Sequence, residues 1–258
     1  VSPWSGYFSI SAPGVCNYTI SYNGNGNTSG TAPANQTKTH DVNLTLRTNT
    51  GALAKSGYSY AGWNTAAAGN GTTYAAGGTY TANVGDVLYA KWLLIAPTGL
   101  SASPAACGTG QINVSWSARS GASGYDISID GGAWTNLGNV TSYNHTGLAN
   151  GSAHSYQIRA WNTAGAGAAS GVVNATAPGA CAATYPVTYN IGTATSGTDP
   201  ADQVKTQNVT LTLRTNTGNL ARTGHSFVGW DTQADGSVTN YASGGSYTGN
   251  SALNLYPR

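Results

Sequence analysis

The sequence predicts an all-β chain of several small domains, and three observations support this. Short runs of alternating apolar and polar residues recur along the 258 residues, and no stretch keeps a helical period for three turns. Glycine contributes 36 residues and clusters with asparagine between those runs, as turns require. A thirteen-residue segment at 38–50 returns at 205–217 with ten identical letters. A repeat at so long an offset indicates duplicated domains.

The composition is unusually low in charge. Only 7% of residues are charged, where about a quarter is typical of a soluble domain. Sixteen tyrosines and seven tryptophans nevertheless argue against disorder. A net charge of +2 provides no basic footprint for nucleic acid, and no apolar run approaches twenty residues. We therefore expect neither a nucleic-acid partner nor a membrane span.

Residues 17–92 are predicted to form the first domain. YTISYN places Tyr18, Ile20 and Tyr22 on one face of a strand, and NLTLRT aligns two leucines in the same way. GYSYAGWNT, a Gly/Asn-rich turn and DVLYAKW follow, and one turn of helix at 52–55 stays open. Residues 183–258 repeat this scheme 167 positions later. The equivalent aromatic pairs are Trp63 and Trp230, Tyr74 and Tyr241, Tyr80 and Tyr247, and Tyr89 and Tyr256.

The middle segment, residues 96–178, contains seven strand-like runs at spacings of eight to twelve residues. Such spacing predicts a β-sandwich. Trp116 and Tyr125 lie in the second and third runs as candidate core aromatics. Asp130 and Gly131 provide a tight-turn signal between strands.

Two motifs carry a family resemblance. In the first domain it rests on Gly57, Tyr58, Tyr60, Gly62, Trp63, Asn64, Thr65, Gly77, Tyr80, Leu88, Tyr89 and Trp92. In the last domain it rests on Gly224, Phe227, Gly229, Trp230, Asp231 and Thr232. Both segments resemble the Listeria–Bacteroides repeat, which includes the internalin B-repeat. The resemblance implies small β-grasp-like domains of bacterial surface and secreted proteins. The second copy has His225 in place of Tyr58, and its last residue here is Arg258, one position before the expected tryptophan, so we expect its last strand to be slightly shortened.

The middle segment resembles a fibronectin type III domain. The resemblance implies that Trp116 is the core tryptophan of the second strand and Tyr125 the aromatic of the third. It also implies that Leu148 and Tyr156 belong to a tyrosine corner, where a phenol hydroxyl ties a loop to the sandwich.

The N-terminal residues 1–16 resemble the last strand of another fibronectin type III domain. SAPGVC at 11–16 closely matches TAPGAC at 176–181. Two interpretations stay open for this orphan strand. The chain is a segment of a longer covalent array, or it is a filament subunit whose Tyr7, Phe8 and Ile10 add to a neighbour's sheet edge. The absence of methionine, including an initiator, leads us to expect a processed, secreted protein.

Three cysteines leave one without an internal partner. In a fibronectin type III topology, the turn that carries Cys107 lies at the same pole as Cys181, which predicts a disulfide between them. The 74-residue separation would make this bond worth roughly 4 kcal/mol in the chain-entropy account. Cys16 is then a candidate crosslink to a preceding module or a neighbouring chain. A free or buried thiol is the alternative.

The sequence offers no set of catalytic residues. Its eight acidic residues are all aspartates, and they suit turns better than a pair of glycosidase carboxylates. The histidines and cysteines lack zinc-site spacing, and neither a nucleophile elbow nor a phosphate loop occurs. We therefore expect no enzyme activity, no metal and no cofactor. Trp134 and Trp161 are candidates for stacking on sugar rings, although small β domains also need aromatic anchors for their cores.

These features predict a non-enzymatic bacterial extracellular protein of structural or adhesive type, either a modular surface array or a filament subunit. Its expected partners are copies of itself or adjacent modules, with glycans or host cell-surface proteins as further candidates. The alternative is an accessory carbohydrate-binding region of a larger secreted enzyme. Saturable glycan binding by a monomer, lost when Trp134 or Trp161 is replaced, would favour that alternative.

Overall fold

The computed structural model describes residues 14–258, and the strand-donation candidates Tyr7, Phe8 and Ile10 lie outside that range. The chain divides into two compact units, one ending at Gly179 and the other comprising Ala180–Arg258. Every regular element within the described range is a β-strand. The predicted all-β class is confirmed.

The first repeat contains seven strands. They are β1 (Asn17–Asn23), β2 (Gln36–Thr39), β3 (Leu44–Thr45), β4 (Tyr58–Asn64), β5 (Thr73–Tyr74), β6 (Thr79–Tyr80) and β7 (Asp86–Leu94). Five form a sheet in the order β2-β1-β7-β4-β5, while β3 and β6 form a separate ribbon. Within the five-stranded sheet, the first and last strands of the repeat, β1 and β7, pair in parallel. All other strand pairs of the repeat are antiparallel. The β-grasp-like description of the repeat stays a prediction.

The core of the first repeat is built around Trp63, which is fully buried. Its ring contacts those of Tyr22 and Tyr60, with centroids 4.6 and 5.5 Å apart. The preceding Gly62 has a φ of +103°, and a Cβ there would lie 2.4 Å from the carbonyl oxygen of Tyr74. Only glycine fits this close approach of β4 and β5, which explains the Gly-Trp dipeptide in the repeat.

The sandwich contains eight strands. They are β8 (Ser101–Pro104), β9 (Ile112–Ser115), β10 (Gly124–Ile129), β11 (Thr135–Gly138), β12 (Ser142–His145), β13 (Ala153–Asn162), β14 (Gly165–Ala169) and β15 (Val173–Thr176). One sheet has the order β11-β10-β13-β14, with β15 also paired to β13, and the other has the order β12-β9-β8. Trp116 and Tyr125 are both buried in the core, with rings 5.6 Å apart, as predicted.

The second repeat reproduces the first. Its strands are β16 (Thr184–Tyr189), β17 (Gln203–Thr206), β18 (Leu211–Thr212), β19 (Trp230–Asp231), β20 (Asn240–Tyr241), β21 (Ser246–Tyr247) and β22 (Leu253–Pro257). The sheet order β17-β16-β22-β19-β20 matches the first repeat strand for strand. β19 is much shorter than its equivalent β4. β4 begins at Tyr58, ahead of Trp63, whereas β19 begins at Trp230 itself.

The helical turn left open at 52–55 is not formed, because Ala54 makes a β-bridge with Ser29 and Ala52 adopts a left-handed φ of 51°. Trp134 lies just before β11.

Candidate functional site

The recurring thirteen-residue segment contacts the core of each repeat through the backbone of one arginine, which is Arg47 in the first repeat. Its amide donates to the Tyr22 hydroxyl at 3.0 Å, and its carbonyl accepts from the Trp63 indole at 2.7 Å. Two residues on, the Asn49 side chain donates to the Leu53 carbonyl and accepts from the Leu53 amide. The second repeat makes the same bonds through Arg214, Tyr189, Trp230, Asn216 and Leu220.

The same segment buries a lysine completely in each repeat. Lys38 Nζ donates to the Thr39 carbonyl at 2.7 Å and to Asn83 Oδ1 at 2.9 Å. Asn83 in turn donates to the exposed carboxylate of Asp41 at 2.6 Å. Lys205 repeats the arrangement. These bonds satisfy a buried cation, which would otherwise be strongly destabilising.

The turn after Trp63 is held by the fully buried Asn64. Its Nδ2 donates to the carbonyls of Gly69 and Gly71 and to the Thr73 hydroxyl, at 2.9–3.2 Å. Asp231 occupies the equivalent position in the second repeat, and its Oδ2 is buried without a hydrogen-bond partner. Since a carboxylate has no N–H to offer, it cannot make the bonds that the amide makes.

Exchanging these two residue types is expected to shift stability in opposite directions. Asn64→Asp should lower the free energy of unfolding of the first repeat by about 2–3 kcal/mol, because buried acceptors lose their donor. Asp231→Asn should raise that of the second repeat by about 1 kcal/mol. Urea titration of both variants, followed by NMR signals from each repeat, measures the effects. Destabilisation by Asp231→Asn would contradict the assignment.

Two residues of the first repeat, Leu94 and Tyr58, contribute to the core of the sandwich. β7 passes the predicted domain boundary at residue 92 and ends at Leu94, which is fully buried in the hydrophobic core of the sandwich. Tyr58, paired with Leu94 across β4 and β7, packs against both cores. The two domains are therefore joined by a common strand and a common aromatic side chain.

Close contacts between loops complete this junction. A Cβ on Gly121 would lie 2.0 Å from the Tyr58 hydroxyl, and Gly121 has a φ of +82°, so both the contact and the backbone favour glycine at the tip of that side chain. The Thr163 hydroxyl donates to the Ala68 carbonyl at 3.1 Å. Lys55 Nζ stands 5.0 Å from the centroid of the Tyr58 ring, within cation–π range. The junction thus combines apolar packing with polar contacts at its edge.

The two tryptophans predicted as sugar-stacking candidates lie at one sheet of the sandwich and are half-buried. The guanidinium of Arg159 lies 4.5 Å from the ring centroid of Trp134, and its Nε donates to Asp126 Oδ2 at 2.9 Å. The Trp161 ring packs on Gly124, where a Cβ would lie 2.5 Å from it. Each ring therefore has an intramolecular contact, and their role in binding a glycan stays a prediction.

Tyr156, expected at the tyrosine corner, is fully buried and its hydroxyl contacts His145 Nδ1 at 2.9 Å. Its partner is thus a side chain on β12 instead of loop backbone. Burial raises the pKa of Tyr156 to about 12. Burial, and then the nearby His154, lowers the pKa of His145. His154 itself bonds to Asp130, whose carboxyl pKa is lowered mainly by the Ser155 amide.

The sandwich is expected to lose stability as the pH falls from about 7 towards 5. His145 has a lower pKa in the folded state, so the unfolded chain binds more protons once the pH falls below about 6.5. Asp130 adds a separate loss of stability only below about pH 4, because the pKa of its carboxyl group is also lowered in the folded state. Thermal unfolding of the wild type and His145→Gln across this range measures the effect. An undiminished pH 5–7 slope in the variant would contradict the assignment to His145.

Both cysteines of the predicted pair, Cys107 and Cys181, are disulfide-bonded. Cys16 is a free thiol and is exposed. Its use as a crosslink to another module or chain stays a prediction.

Within residues 14–258, no three histidine, cysteine or acidic side chains are grouped closely enough to hold a metal ion. The same range contains no helix of the length and hydropathy that a membrane crossing requires.

The structural roles of Leu94, Lys38 and Asn64 were not predicted, although Asn64 belongs to the family motif and Lys38 to the recurring segment. A signal was available for the lysine, because both Lys38 and its partner Asn83 recur at the 167-residue offset. No comparable signal marks Leu94, because the second repeat offers no counterpart within this sequence.

Over 32% of its length, the chain is similar to a solved Fn3-like protein from Clostridium thermocellum, at 30% identity and covering 91% of that chain, with a TM-score of 0.28. Over 33% of its length, it is similar to the FN5 domain of Drosophila Lar, at 26% identity and covering 97% of that chain, again with a TM-score of 0.28. No curated protein matches the chain. The model of the Listeria-Bacteroides repeat domain matches residues 18–91 and 185–257, together more than half of the sequence. The chain belongs to the Listeria–Bacteroides repeat family.

Proposed function

We propose that this chain is a non-enzymatic structural segment of a bacterial extracellular protein, acting as a spacer or adhesive module of a surface array or filament. Listeria–Bacteroides repeats are typical of surface and extracellular proteins, and both repeats here carry that family's pattern. In this role the chain holds neighbouring modules at a fixed distance. Copies of itself and adjacent modules of a longer chain are the partners it requires.

The observation that carries this proposal is the buried junction between the first repeat and the sandwich. Leu94 comes from the last strand of the repeat and is fully buried in the sandwich. Flexibly linked domains are joined by exposed linkers across which few contacts are made. A buried junction suits a protein that transmits distance or force along its length.

The low charge of the chain supports the same role. With 7% charged residues and a net charge of +2, neighbouring copies would repel one another little. The edge strand β2 is four residues long and carries one charged side chain, Lys38, which is buried. Such an edge has little charge to prevent pairing with another strand.

Electron microscopy of the native material tests the proposal. Extended rods or fibres with a constant axial repeat are expected, and compact particles without a repeat would contradict it. The two forms of the proposal differ in how the rods arise. Isolated rods would indicate a covalent array, whereas fibres built from separate chains would indicate a filament subunit.

Donation of the N-terminal strand is the finer proposal for a filament. Deletion of residues 1–15 should abolish assembly if Tyr7, Phe8 and Ile10 pair with a neighbour's sheet. The control is Cys16→Ser in the full chain, which removes the candidate crosslink but keeps the strand. Assembly that survives the deletion would rule out strand donation.

A further inference from the structure

A buried amine in the first repeat lies against a side-chain carboxamide. Lys38 on β2 is 0% exposed, and its Nζ lies 2.9 Å from Oδ1 of Asn83, which precedes β7. The other acceptor of its ammonium is the Thr39 carbonyl, so both acceptors are uncharged oxygens. Enclosing a cation among neutral groups is costly. Joining the amine to the carboxamide would remove this charge from the interior.

The carboxamide of Asn83 is held by two groups of a single residue, Asp41. The backbone amide of Asp41 donates to Asn83 Oδ1 at 2.9 Å, and Asp41 Oδ1 accepts from Asn83 Nδ2 at 2.6 Å. Asp41 has a left-handed φ of 56°, a conformation that aspartate and asparagine adopt more readily than most residues. These two bonds fix the orientation of the carboxamide beside the amine.

The three contacts supply the groups that transfer of an acyl group to an amine requires. Nζ of Lys38, once it has lost a proton, is the nucleophile, and Cγ of Asn83 is the carbon that it attacks. The Asp41 amide stabilises the negative charge that develops on Oδ1 during the attack. The Asp41 carboxylate contacts Nδ2, the nitrogen that leaves, and can carry protons to it.

The reaction balances without a co-reactant. One bond forms between Lys38 Nζ and Asn83 Cγ, and the bond between Cγ and Nδ2 breaks. The lysine ammonium gives up two protons and the departing NH₂ group takes up two, so the products are a secondary amide and an ammonium ion. No group is oxidised or reduced. The Asp41 side chain is 81% exposed, so the ammonium ion can leave into solvent.

The fold provides the proximity that such a slow reaction needs. Lys38 and Asn83 are 45 positions apart in sequence, and the folded repeat holds them in contact. Well-oriented groups within one molecule react as if at an effective concentration of about 10⁵–10⁸ M. Burial of the amine also limits its contact with water.

The second repeat provides an internal comparison. Lys205 is likewise 0% exposed, and its Nζ lies 3.3 Å from Oδ1 of Asn250. The backbone amide of Asn208 donates to that oxygen at 2.8 Å, as the amide of Asp41 does in the first repeat. The side chain of Asn208 is a carboxamide, which cannot pick up and pass on a proton as a carboxylate does. The second repeat therefore has the amine and the polarised carbonyl but lacks the acid–base group.

We propose that Lys38 and Asn83 become joined by an isopeptide bond, with Asp41 carrying the protons, and that Lys205 and Asn250 stay unjoined. The bond ties the edge strand β2 covalently to the turn before β7. The modification is independent of whether the whole chain assembles into arrays or filaments.

Mass spectrometry of the full chain, after reduction of its disulfide, tests the proposal. The wild type should be lighter than its sequence by one ammonia molecule. Trypsin should not cleave after Lys38, and tandem spectra of the digest should contain one branched peptide that joins Lys38 to Asn83. The branched peptide is decisive because an asparagine that closes to a succinimide also loses ammonia. A chain of full mass, or loss of ammonia without the branched peptide, would overturn the proposal.

Two variants exchange the residue that differs between the repeats, and cell-free synthesis stopped at timed intervals gives the rate of bond formation. Asp41→Asn should keep the turn, since Asn208 occupies it in the second repeat, and should slow the reaction by about 100-fold or more. Asn208→Asp should add a second loss of ammonia and a branched peptide joining Lys205 to Asn250. Lys38→Met, which removes the nucleophile, is the negative control and should keep the full mass. An unchanged rate in Asp41→Asn, or no second bond in Asn208→Asp, would contradict the role assigned to the carboxylate.

Discussion

Trp63→Ala is expected to remove most of the stability of the first repeat. The indole is fully buried, contacts Tyr22 and Tyr60, and donates to the Arg47 carbonyl. Truncation of a buried tryptophan costs about 3–5 kcal/mol. A domain of this size has a free energy of unfolding of about 4–11 kcal/mol, so the loss is a large share of it. Chemical denaturation followed by NMR signals of the first repeat measures the loss.

Two control variants separate packing from the indole hydrogen bond. Trp63→Phe keeps an aromatic ring but loses the bond to Arg47, and its cost should be smaller than that of Trp63→Ala. Val84→Ala removes a side chain that is half-exposed in the same repeat and should change stability by less than about 0.5 kcal/mol. If Trp63→Ala costs no more than Val84→Ala, Trp63 is not the core anchor.

Leu94→Ala is expected to damage two domains at once. The side chain comes from β7 of the first repeat but is fully buried in the sandwich core. Leucine-to-alanine changes in cores cost about 3–5 kcal/mol. The shortened side chain leaves a void at the junction of the two domains. The variant should therefore also uncouple the unfolding of these two domains. Differential scanning calorimetry of the full chain should show one transition for both domains in the wild type and two in the variant.

The neighbouring Ile95 provides the matched control. It is 40% exposed, so Ile95→Ala should leave the shared transition intact and cost less than about 0.5 kcal/mol. Separate transitions in the wild type would mean that burial of Leu94 does not couple the domains.

Much of this fold follows from local patterns in the sequence. Period-2 alternation in YTISYN and NLTLRT places Ile20 and Leu46 in the core, where both are buried. The turn signal at Asp130 and Gly131 is matched by positive φ angles at both residues. These features are local, so neighbouring residues alone determine them.

The candidate site was less predictable because it depends on contacts between distant residues. The bond from Thr163 to Ala68 and the fit of Tyr58 against Gly121 join positions that lie more than sixty residues apart in sequence. No periodicity identifies such pairs from one sequence. The predicted domain boundaries at 92 and 96 leave Leu94 between the two domains, yet it lies on β7 of the first repeat and is buried in the core of the sandwich.

We expect the first repeat and the sandwich to form one rigid body. Residual dipolar couplings of backbone amides, measured on the full chain in a dilute aligning medium, test this expectation. We expect one alignment tensor to fit the amides of both domains within residues 17–178, and Leu94→Ala to require two. Two different tensors in the wild type would contradict the claim.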